Sequence, residues 1–337
     1  MYHNPYIGTE LEDETLSAVP YPSIDAQAPR QMLMRCPEAA PTPLVSLGAF
    51  GGAGAVFVKD ERSRMGLGSF KALGAAYVIA CEAVAGRAEG ATFVCASAGN
   101  HGLSVAAGAQ AFGAAAVIYL SRSVPEAFAE RLRARGAEVR RVAGSYEDSM
   151  EAAAQAAASE GFKLLSDSSW PGYTAYPHRL MEGYLVMAAE AAEAMPAPPT
   201  HIFLQAGVGG LAAACAAYFR KVWGAGPQII VVEPDAAPAL IESAKAGHFV
   251  RTTGPVSSMG RLDCKEASLI ALKGLLRDAS GFMTLTEQAA EAALGPLAAV
   301  GLATTPSGGA GLAGVMQMPP LGPEARVLAI VSEGPEA

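Results

Sequence analysis

Lys71 is the residue whose surroundings first suggest covalent chemistry. It follows Gly68, Ser69 and Phe70, at the end of a loop rich in small residues, and lies at the start of the apolar stretch "FKALGAAYVIA". A positive charge at the start of a helix is disfavoured by the helix dipole, so a permanently charged lysine is out of place there. A lysine amine kept reactive by burial can instead form a Schiff base with an aldehyde. Lys71 is therefore a candidate attachment point for an aldehyde, against the alternative of a solvated surface charge.

Two glycine turns suggest a second kind of chemistry, the binding of an anion. "SAGNHG" runs from Ser97 to Gly102 and "QAGVGGLA" from Gln205 to Ala212, each between a predicted strand and a predicted helix. Glycines at such turns let backbone N–H groups converge on an anion, and the helix N-terminus adds a favourable dipole. A phosphate site is the functional interpretation, and close strand–helix packing without a ligand is the alternative.

The second turn also fits the dinucleotide fingerprint. Gly207, Gly209 and Ala212 match GxGxxA, and Glu233 ends the next strand at a distance suited to a ribose contact. Taken alone, this pattern favours an NAD(P)-dependent oxidoreductase, but it leaves Lys71 and the first turn unexplained. Pyridoxal 5'-phosphate (PLP) accounts for both, because it supplies an aldehyde for Lys71 and a phosphate for "AGVGG".

Strand-like and helix-like segments alternate along the chain. Apolar runs such as "AVFVKD", "ATFVCAS" and "HIFLQ" predict strands, and "FKALGAAYVIACEAVAG" and "SYEDSMEAAAQAAASEG" predict helices. This alternation predicts an α/β fold with mostly parallel sheets flanked by helices. We expect residues 1–84 plus 172–337 to form a large cofactor-binding domain and residues 85–171 a small inserted α/β domain. The N-terminus lacks periodicity and is expected to pack as an arm.

Composition restricts the partners that the protein can have. Of the 337 residues 51% are hydrophobic and 17% charged, and the net charge of −8 with dispersed basic residues argues against a nucleic-acid partner. The apolar runs are too short to span a membrane, and the polar N-terminus does not resemble a signal peptide. The five scattered cysteines have no metal-like spacing. They predict reduced thiols in a cytoplasmic protein without a metal site.

Four motifs, taken in order, indicate a family. "SFK", "SAGNHG", "AGVGGL" and the terminal "IVSEG" together resemble the PLP enzymes of the tryptophan-synthase β-subunit fold, or fold type II. Within that group the chain resembles diaminopropionate ammonia-lyase more closely than the threonine and serine dehydratases, whose features it also shares. The resemblance implies a two-domain fold and a homodimer. It covers Pro43 to Glu333 through "KDERSRMGLGSFKALGAAY", "GNHGLSVA", "SWPGYTAYPHRLMEGY", "PTHIFLQAGVGGLA", "VVEPD" and "MGRLDC".

The resemblance implies roles for the residues around the cofactor. Lys71 would hold PLP and act as the base at the substrate Cα, with Phe70 packed near the ring. Asn100 would hydrogen-bond the phenolic oxygen, and Ser332 would set a hydroxyl beside the pyridine nitrogen. The phosphate would be cradled by Gly207, Val208, Gly209 and Gly210.

The resemblance also implies a site for a small amino-acid substrate. Asp167, in "LLSDSSW", matches an acidic position of the ammonia-lyase pattern and would pair with a substrate amine or carry a proton, with a turn-forming role as the alternative. A hydroxyl partner leaves the pyridine nitrogen neutral, which favours loss of a β leaving group. The implied reaction gives a 2-oxo acid and ammonia. The loop receiving the substrate carboxylate would comprise Ser97, Ala98, Gly99 and His101.

Several positions depart from the ammonia-lyase pattern and keep alternatives open. Ala98 stands where that family has an aspartate tied to attack on D-substrates, and Thr305 stands where dehydratases carry a glutamate. Arg179, Arg261 and Lys265 raise the hypothesis of an acidic substrate, against that of dispersed surface cations. A serine/threonine or hydroxyaspartate-type dehydratase is the main alternative. An NAD(P)-dependent oxidoreductase and a catalytically silent PLP-binding protein are more remote.

Overall fold

The computed structural model describes residues 1–9, 13–144 and 146–335. Its strands are β1 (Tyr2–His3), β2 (Leu44–Phe50), β3 (Ala53–Asp60), β4 (Thr92–Ala96), β5 (Ala115–Ser121), β6 (Glu138–Val142), β7 (Lys163–Leu164), β8 (His201–Gln205), β9 (Gln228–Pro234), β10 (Gly281–Leu285) and β11 (Gly322–Val331). Its helices are α1 (Glu14–Ser17), α2 (Gln27–Leu33), α3 (Lys71–Val84), α4 (Asn100–Ala111), α5 (Glu126–Arg133), α6 (Tyr146–Glu160), α7 (Ala175–Ala194), α8 (Gly210–Trp223), α9 (Ala239–Ala246), α10 (Leu269–Asp278), α11 (Glu287–Ala299) and α12 (Ala310–Gln317). The helix predicted in "SYEDSM" corresponds to α6, and its predicted first residue, Ser145, lies outside the described residues. Of the helices named here, none is both long enough and apolar enough to cross a membrane.

Within the described residues, seven strands form one sheet in the order β1-β10-β9-β8-β11-β3-β2. The neighbours from β10 to β3 are parallel, whereas β1 and β2 pair antiparallel at the two edges. The N-terminal arm therefore extends the sheet, with Tyr2 opposite Phe282. The prediction of an α/β fold with mostly parallel sheets is confirmed. The two edge strands were not predicted, because short segments with mixed burial give no clear period.

Four further strands form a separate sheet in the order β6-β5-β4-β7, and each neighbouring pair is parallel. All of them lie between Thr92 and Leu164. They therefore fall inside the segment 85–171. The division into two domains stays a prediction, and the existence of this second sheet supports it.

Helices α3 and α7 cross in close contact because each carries a glycine at the crossing. A Cβ on Gly183 would lie 2.5 Å from the backbone oxygen of Leu73, and one on Gly74 would lie 2.7 Å from the Tyr184 ring. A larger residue at either position would push the helices apart, since protein interiors are close-packed. The crossing thus holds the first turn of α3, and with it Lys71, against α7.

Four charged side chains are buried where the chain leaves β3 for the loop to α3. Lys59, Glu61, Arg64 and Glu190 are each at most 8% exposed. Glu190 accepts hydrogen bonds from Lys59 Nζ and Arg64 Nη2, both at 2.6 Å, and Arg64 Nε donates to Glu61 at 2.7 Å. Two positive and two negative charges thereby pair, as buried ions require. Three charged residues of the segment "KDERSR" thus anchor the loop that leads to Lys71.

Candidate active site

Lys71 begins α3, and its ammonium group faces the carboxylate of Asp167 in the loop after β7. Nζ and Oδ2 are 2.6 Å apart, and the two side chains are 21% and 23% exposed. Burial lowers the pKa of Lys71, but the Asp167 carboxylate and other neighbours raise it to a net value above the ordinary one. Burial raises the pKa of Asp167, but the Lys71 ammonium brings it well below its usual range. The structure therefore joins the predicted attachment residue to the predicted acidic residue as an ionised pair.

Two buried aromatic rings lie beside the Lys71 amine. Phe70 and Tyr184 meet edge to face, with ring centroids 4.8 Å apart. Lys71 Nζ is 5.3 Å from the Phe70 centroid and 5.9 Å from that of Tyr184. The rings keep water from part of the amine and attract its charge. Phe70 was predicted to lie near the cofactor, whereas Tyr184 was missed because "MEGY" by itself indicates only a helix.

Asn100 begins α4 and donates its side-chain amide to the carboxylate of Glu333. The same buried carboxylate accepts a hydrogen bond from the Thr305 hydroxyl and lies 3.1 Å from Arg261 Nε. Glu333 therefore connects the start of α4 to the end of the chain's last strand. The sequence motifs did not predict Glu333 as a site residue. Its position next to Ser332, after a buried strand, was the available signal.

The segment around Ser332 is bonded directly to the loop that precedes Lys71. The backbone N–H of Phe70 donates to the backbone carbonyl oxygen of Ser332 at 3.2 Å. The backbone N–H of Gly334 donates to the backbone carbonyl oxygen of Gly68 at 3.0 Å. Ser332 itself is buried. The motifs "SFK" and "IVSEG", which lie far apart in the sequence, thus form adjacent walls of one site. The role of Ser332 as partner of a pyridine nitrogen stays a prediction.

The "SAGNHG" turn connects β4 to α4. The backbone N–H of Gly99 donates to Ser97 Oγ at 3.3 Å, and Ala98 is exposed. His101 Nε2 lies 2.7 Å from the backbone oxygen of Leu165, and burial lowers the pKa of His101. The imidazole is therefore neutral and donates its Nε2–H to that oxygen. His101 fixes the start of α4 to the segment after β7, which indicates a positioning role.

The "AGVGG" turn connects β8 to α8 and leaves backbone donors available. Gly209 has φ = 97°, a left-handed conformation that favours glycine. A Cβ on Gly207 would lie 2.9 Å from a neighbouring cysteine sulfur, so only glycine fits there. The Val208 carbonyl accepts a bond at 2.9 Å from the chain before α10. The N–H groups of Gly207, Gly209 and Gly210 donate to no acceptor among the described residues, and they form a cradle suited to a phosphate.

Residues 36–333 match the family described as pyridoxal-phosphate dependent enzymes. The chain belongs to this family. Diaminopropionate ammonia-lyase of Escherichia coli K12 is 33% identical over 291 residues, which cover 79% of this chain and 73% of that protein. A serine dehydratase-like protein of Rattus norvegicus is 30% identical over 207 residues, or 61% of this chain and 59% of that protein. The crystal structure of the E. coli ammonia-lyase with an aminoacrylate-PLP azomethine reaction intermediate matches with a TM-score of 0.85 at 30% identity, covering 98% of this chain and 92% of that chain.

The residues of this pyridoxal-phosphate dependent enzyme suit its cofactor. The amine of Lys71 lies among aromatic rings, where an aldehyde can be held without competition from bulk water. The free N–H groups of the "AGVGG" turn suit a phosphate, and a side chain at Gly207 would disrupt the turn. The fold is therefore that of the fold type II PLP enzymes, as the sequence predicted.

Glu233 is used to cap a helix, not to bind a nucleotide. Its two carboxylate oxygens accept hydrogen bonds from the backbone N–H groups of Leu240 and Ile241, both at 2.8 Å. The side chain is buried, and burial raises the pKa of Glu233 to about 8. The hypothesis of a ribose contact is therefore wrong. The GxGxxA match in this PLP enzyme therefore lacks the acidic partner that a dinucleotide would need.

Of the three cations considered for an acidic substrate, two lie elsewhere. Arg179 is 3.7 Å from Glu82 on α3, and Lys265 is held at 2.5 Å by the aspartate two residues before it. Arg261 lies at the site, where its Nε would be 3.9 Å from a Cβ on Gly99. The hypothesis of an acidic substrate therefore depends on Arg261 alone among these three.

Proposed function

We propose that this PLP enzyme is a β-eliminating ammonia-lyase. It converts a small amino acid with a β leaving group into a 2-oxo acid and ammonia. The observation that carries the proposal is the ion pair of Lys71 and Asp167, 2.6 Å apart beside two aromatic rings. An amine and a carboxylate in contact can remove a proton from one atom and return it to another. Similarity to the ammonia-lyase of E. coli over most of both chains supports the same reaction class.

The proposed cofactor site combines residues from four parts of the chain. PLP, when bound, withdraws electrons from the substrate Cα and so allows the β substituent to leave. Lys71 would hold the cofactor through Nζ, with Phe70 against the ring. Asn100 and Ser332 would meet the polar atoms of the ring. The phosphate would lie on Gly207, Val208, Gly209 and Gly210.

Lys71 is the proposed base at the substrate Cα. In its neutral form Nζ can take the α proton, and the adjacent Asp167 carboxylate stabilises the ammonium that results. Asp167 therefore makes Lys71 the stronger base, in agreement with the raised pKa of Lys71. The carboxylate, in contact with Nζ, is within reach to pass the proton on to the leaving group.

The proposed substrate site is the turn at the start of α4. Ser97, Ala98, Gly99 and His101 would form the loop whose backbone donors bind the substrate carboxylate, helped by the dipole of α4. Ala98 has no carboxylate that could remove an α proton from the opposite side of the substrate. We therefore expect little activity on D-diaminopropionate, and a preference for the enantiomer whose α proton faces Lys71.

A hydroxyaspartate-type dehydratase is the second candidate, and the position of Arg261 favours it. The Arg261 guanidinium lies against Gly99 in the turn proposed to bind the substrate carboxylate. A second carboxylate on the substrate would be drawn to that cation. The test compares turnover of hydroxyaspartate, serine, threonine and diaminopropionate in the wild type and in Arg261→Ala. If Arg261→Ala shows the same relative turnover of hydroxyaspartate and the other three substrates as the wild type, this candidate is wrong.

The proposal is tested first by the absorption spectrum of the purified protein, beside Lys71→Ala, before and after borohydride. We expect a visible band in the wild type, and a pyridoxyl group fixed to Lys71 by borohydride and located by mass spectrometry. A screen of amino acids for 2-oxo acid and ammonia then identifies the substrate. If the wild type shows no band even after PLP is added, the proposal is wrong.

Two further parts of the proposal come from the sequence and the family resemblance. We expect a homodimer, which sedimentation of the loaded protein will test. We also expect the protein in the cytoplasm, which fractionation of the source cells will test.

A further inference from the structure

The hydroxyl of Tyr184 is a buried polar group without a partner. Tyr184 is 1% exposed, and its Oη–H has no hydrogen-bond acceptor among the described residues. A buried donor without an acceptor destabilises a protein by about 1–3 kcal/mol. Buried hydroxyls are therefore nearly always satisfied, and an exception next to a functional site indicates a missing ligand.

The hydroxyl end of Tyr184 lies between the start of α3 and the start of α8. The two ring carbons that flank the hydroxyl-bearing carbon face different helices. Cε1 would lie 2.7 Å from a Cβ on Gly74, and Cε2 would lie 3.7 Å from a Cβ on Gly210. Both positions are glycine, so the ring can approach both backbones. The hydroxyl therefore points into the junction between the attachment residue Lys71 and the "AGVGG" turn.

The nearest charged group cannot satisfy this donor. Lys71 Nζ, 5.9 Å from the ring centroid, is an ammonium paired with Asp167, and an ammonium has no acceptor. Burial also raises the pKa of Tyr184, so its hydroxyl keeps its proton and remains a donor. An anion on the N–H groups of the neighbouring turn would be the matching acceptor.

We propose that the Tyr184 hydroxyl donates a hydrogen bond to the phosphate of the bound cofactor, and so acts as a positioning residue for PLP. This inference rests on the cofactor site of the proposed function. The backbone cradle of Gly207, Gly209 and Gly210 supplies neutral donors, and Tyr184 adds a side-chain donor from α7. The phosphate would thereby be bonded to two helices that the chain connects only through the strand β8.

The test measures the affinity of the apoprotein for PLP and for pyridoxal, which lacks the phosphate. Tyr184→Phe keeps the ring and removes the hydroxyl. Tyr77→Phe, at a buried tyrosine further along α3, is the matched control. We expect Tyr184→Phe to weaken PLP binding about tenfold, the size of one hydrogen bond to a charged group, and to leave pyridoxal binding unchanged. Tyr77→Phe should alter neither affinity.

Two results would overturn the inference. If Tyr184→Phe binds PLP as tightly as the wild type, the hydroxyl has no contact with the cofactor. If it loses affinity for PLP and pyridoxal equally, the hydroxyl acts on the attachment at Lys71 and not on the phosphate. In both cases, β-elimination of an amino acid by the wild type would still support the proposed function. A wild type that binds no PLP would overturn both.

Discussion

The carboxylate of Glu333 accepts a hydrogen bond from the side-chain amide of Asn100. Asn100 begins α4, which packs on the four-stranded sheet, and Glu333 follows β11, an interior strand of the seven-stranded sheet. One hydrogen bond therefore connects the two sheets at the site. It also directs one N–H of the Asn100 amide, and so determines the direction of the other N–H and of the amide oxygen.

Glu333→Gln should lower kcat about tenfold. A hydrogen bond to a charged group is worth about 1.5–3 kcal/mol, and its loss allows the Asn100 amide to turn. Steady-state kinetics with saturating PLP measure the change. Glu324→Gln, at an exposed position near the start of the same strand, is the control and should leave kcat unchanged. Equal kcat in both variants would contradict the role given to Glu333.

Asp167→Asn should reduce kcat by a factor of about 100 or more, within the range for loss of acid–base catalysis. It should also move the acidic limb of the pH–kcat profile to lower pH. Asp167 raises the pKa of Lys71, so its removal lowers that pKa, and the neutral amine then persists at lower pH. Asp235→Asn, an exposed aspartate after β9, is the control. If the acidic limb does not move in Asp167→Asn, Asp167 does not raise the pKa of the catalytic base.

Glu190→Gln should lower the free energy of unfolding by about 3–5 kcal/mol. The substitution leaves the buried cations Lys59 and Arg64 without one of their carboxylates, and an unpaired buried charge has a cost of that size. Urea unfolding of the holoenzyme measures it. The control is Glu193→Gln on the same helix, whose pair with Arg30 is 54% exposed at the glutamate and should be worth about 1 kcal/mol or less. Equal losses would contradict the buried network.

The stability of the protein should decrease as the pH rises from about 4.5 to 8, because of Glu233. Burial raises the pKa of Glu233 to about 8 in the folded state, so the folded protein holds this proton more tightly than the unfolded chain. The stabilisation is fully present below the unfolded pKa and is lost through the folded one, with a slope of at most about 1.4 kcal/mol per pH unit. Urea unfolding at several pH values should show this slope in the wild type and not in Glu233→Gln. Identical slopes would contradict the assignment.

Gly207→Ala should destabilise the protein by about 1–3 kcal/mol and weaken PLP binding. Its Cβ would lie 2.9 Å from the Cys264 sulfur and 3.0 Å from the Leu262 Cα, so the facing segment must move. Gly226→Ala is the matched control, because the nearest atom to its Cβ is 3.5 Å away. Thermal unfolding and PLP titration measure both effects. A Gly207→Ala protein with unchanged PLP affinity would show that the turn does not contact the phosphate.

The parts of the site that could be predicted are those coded by local sequence. Lys71, "SAGNHG" and "AGVGG" were predicted as site residues because each lies in or just after a small-residue turn at a helix start, where backbone conformation limits the choice of residue. The α/β fold was found for a similar reason, since buried parallel strands produce continuous apolar runs.

The parts that could not be predicted are contacts between distant segments. The partnership of Lys71 with Asp167 joins residues 96 positions apart, and nothing near either one specifies the other. For Glu233 a local pattern led to a wrong prediction. Its spacing from the glycine turn suggested a ribose contact, but the direction of its side chain depends on α9, which it caps. Tyr184 and Glu333 were missed because their positions beside Lys71 and Asn100 depend on the elements packed around them.

The buried quartet of Lys59, Glu61, Arg64 and Glu190 limits how this protein can change over evolutionary time. Its charges sum to zero, and each single substitution that removes one charge leaves a charge of opposite sign buried without that partner. Replacement of the whole set by apolar residues can be neutral, but the single-step intermediates are strongly destabilised. Lineages of this enzyme should therefore keep the set intact or lose it in coupled steps, and the loop before Lys71 that it anchors should vary little.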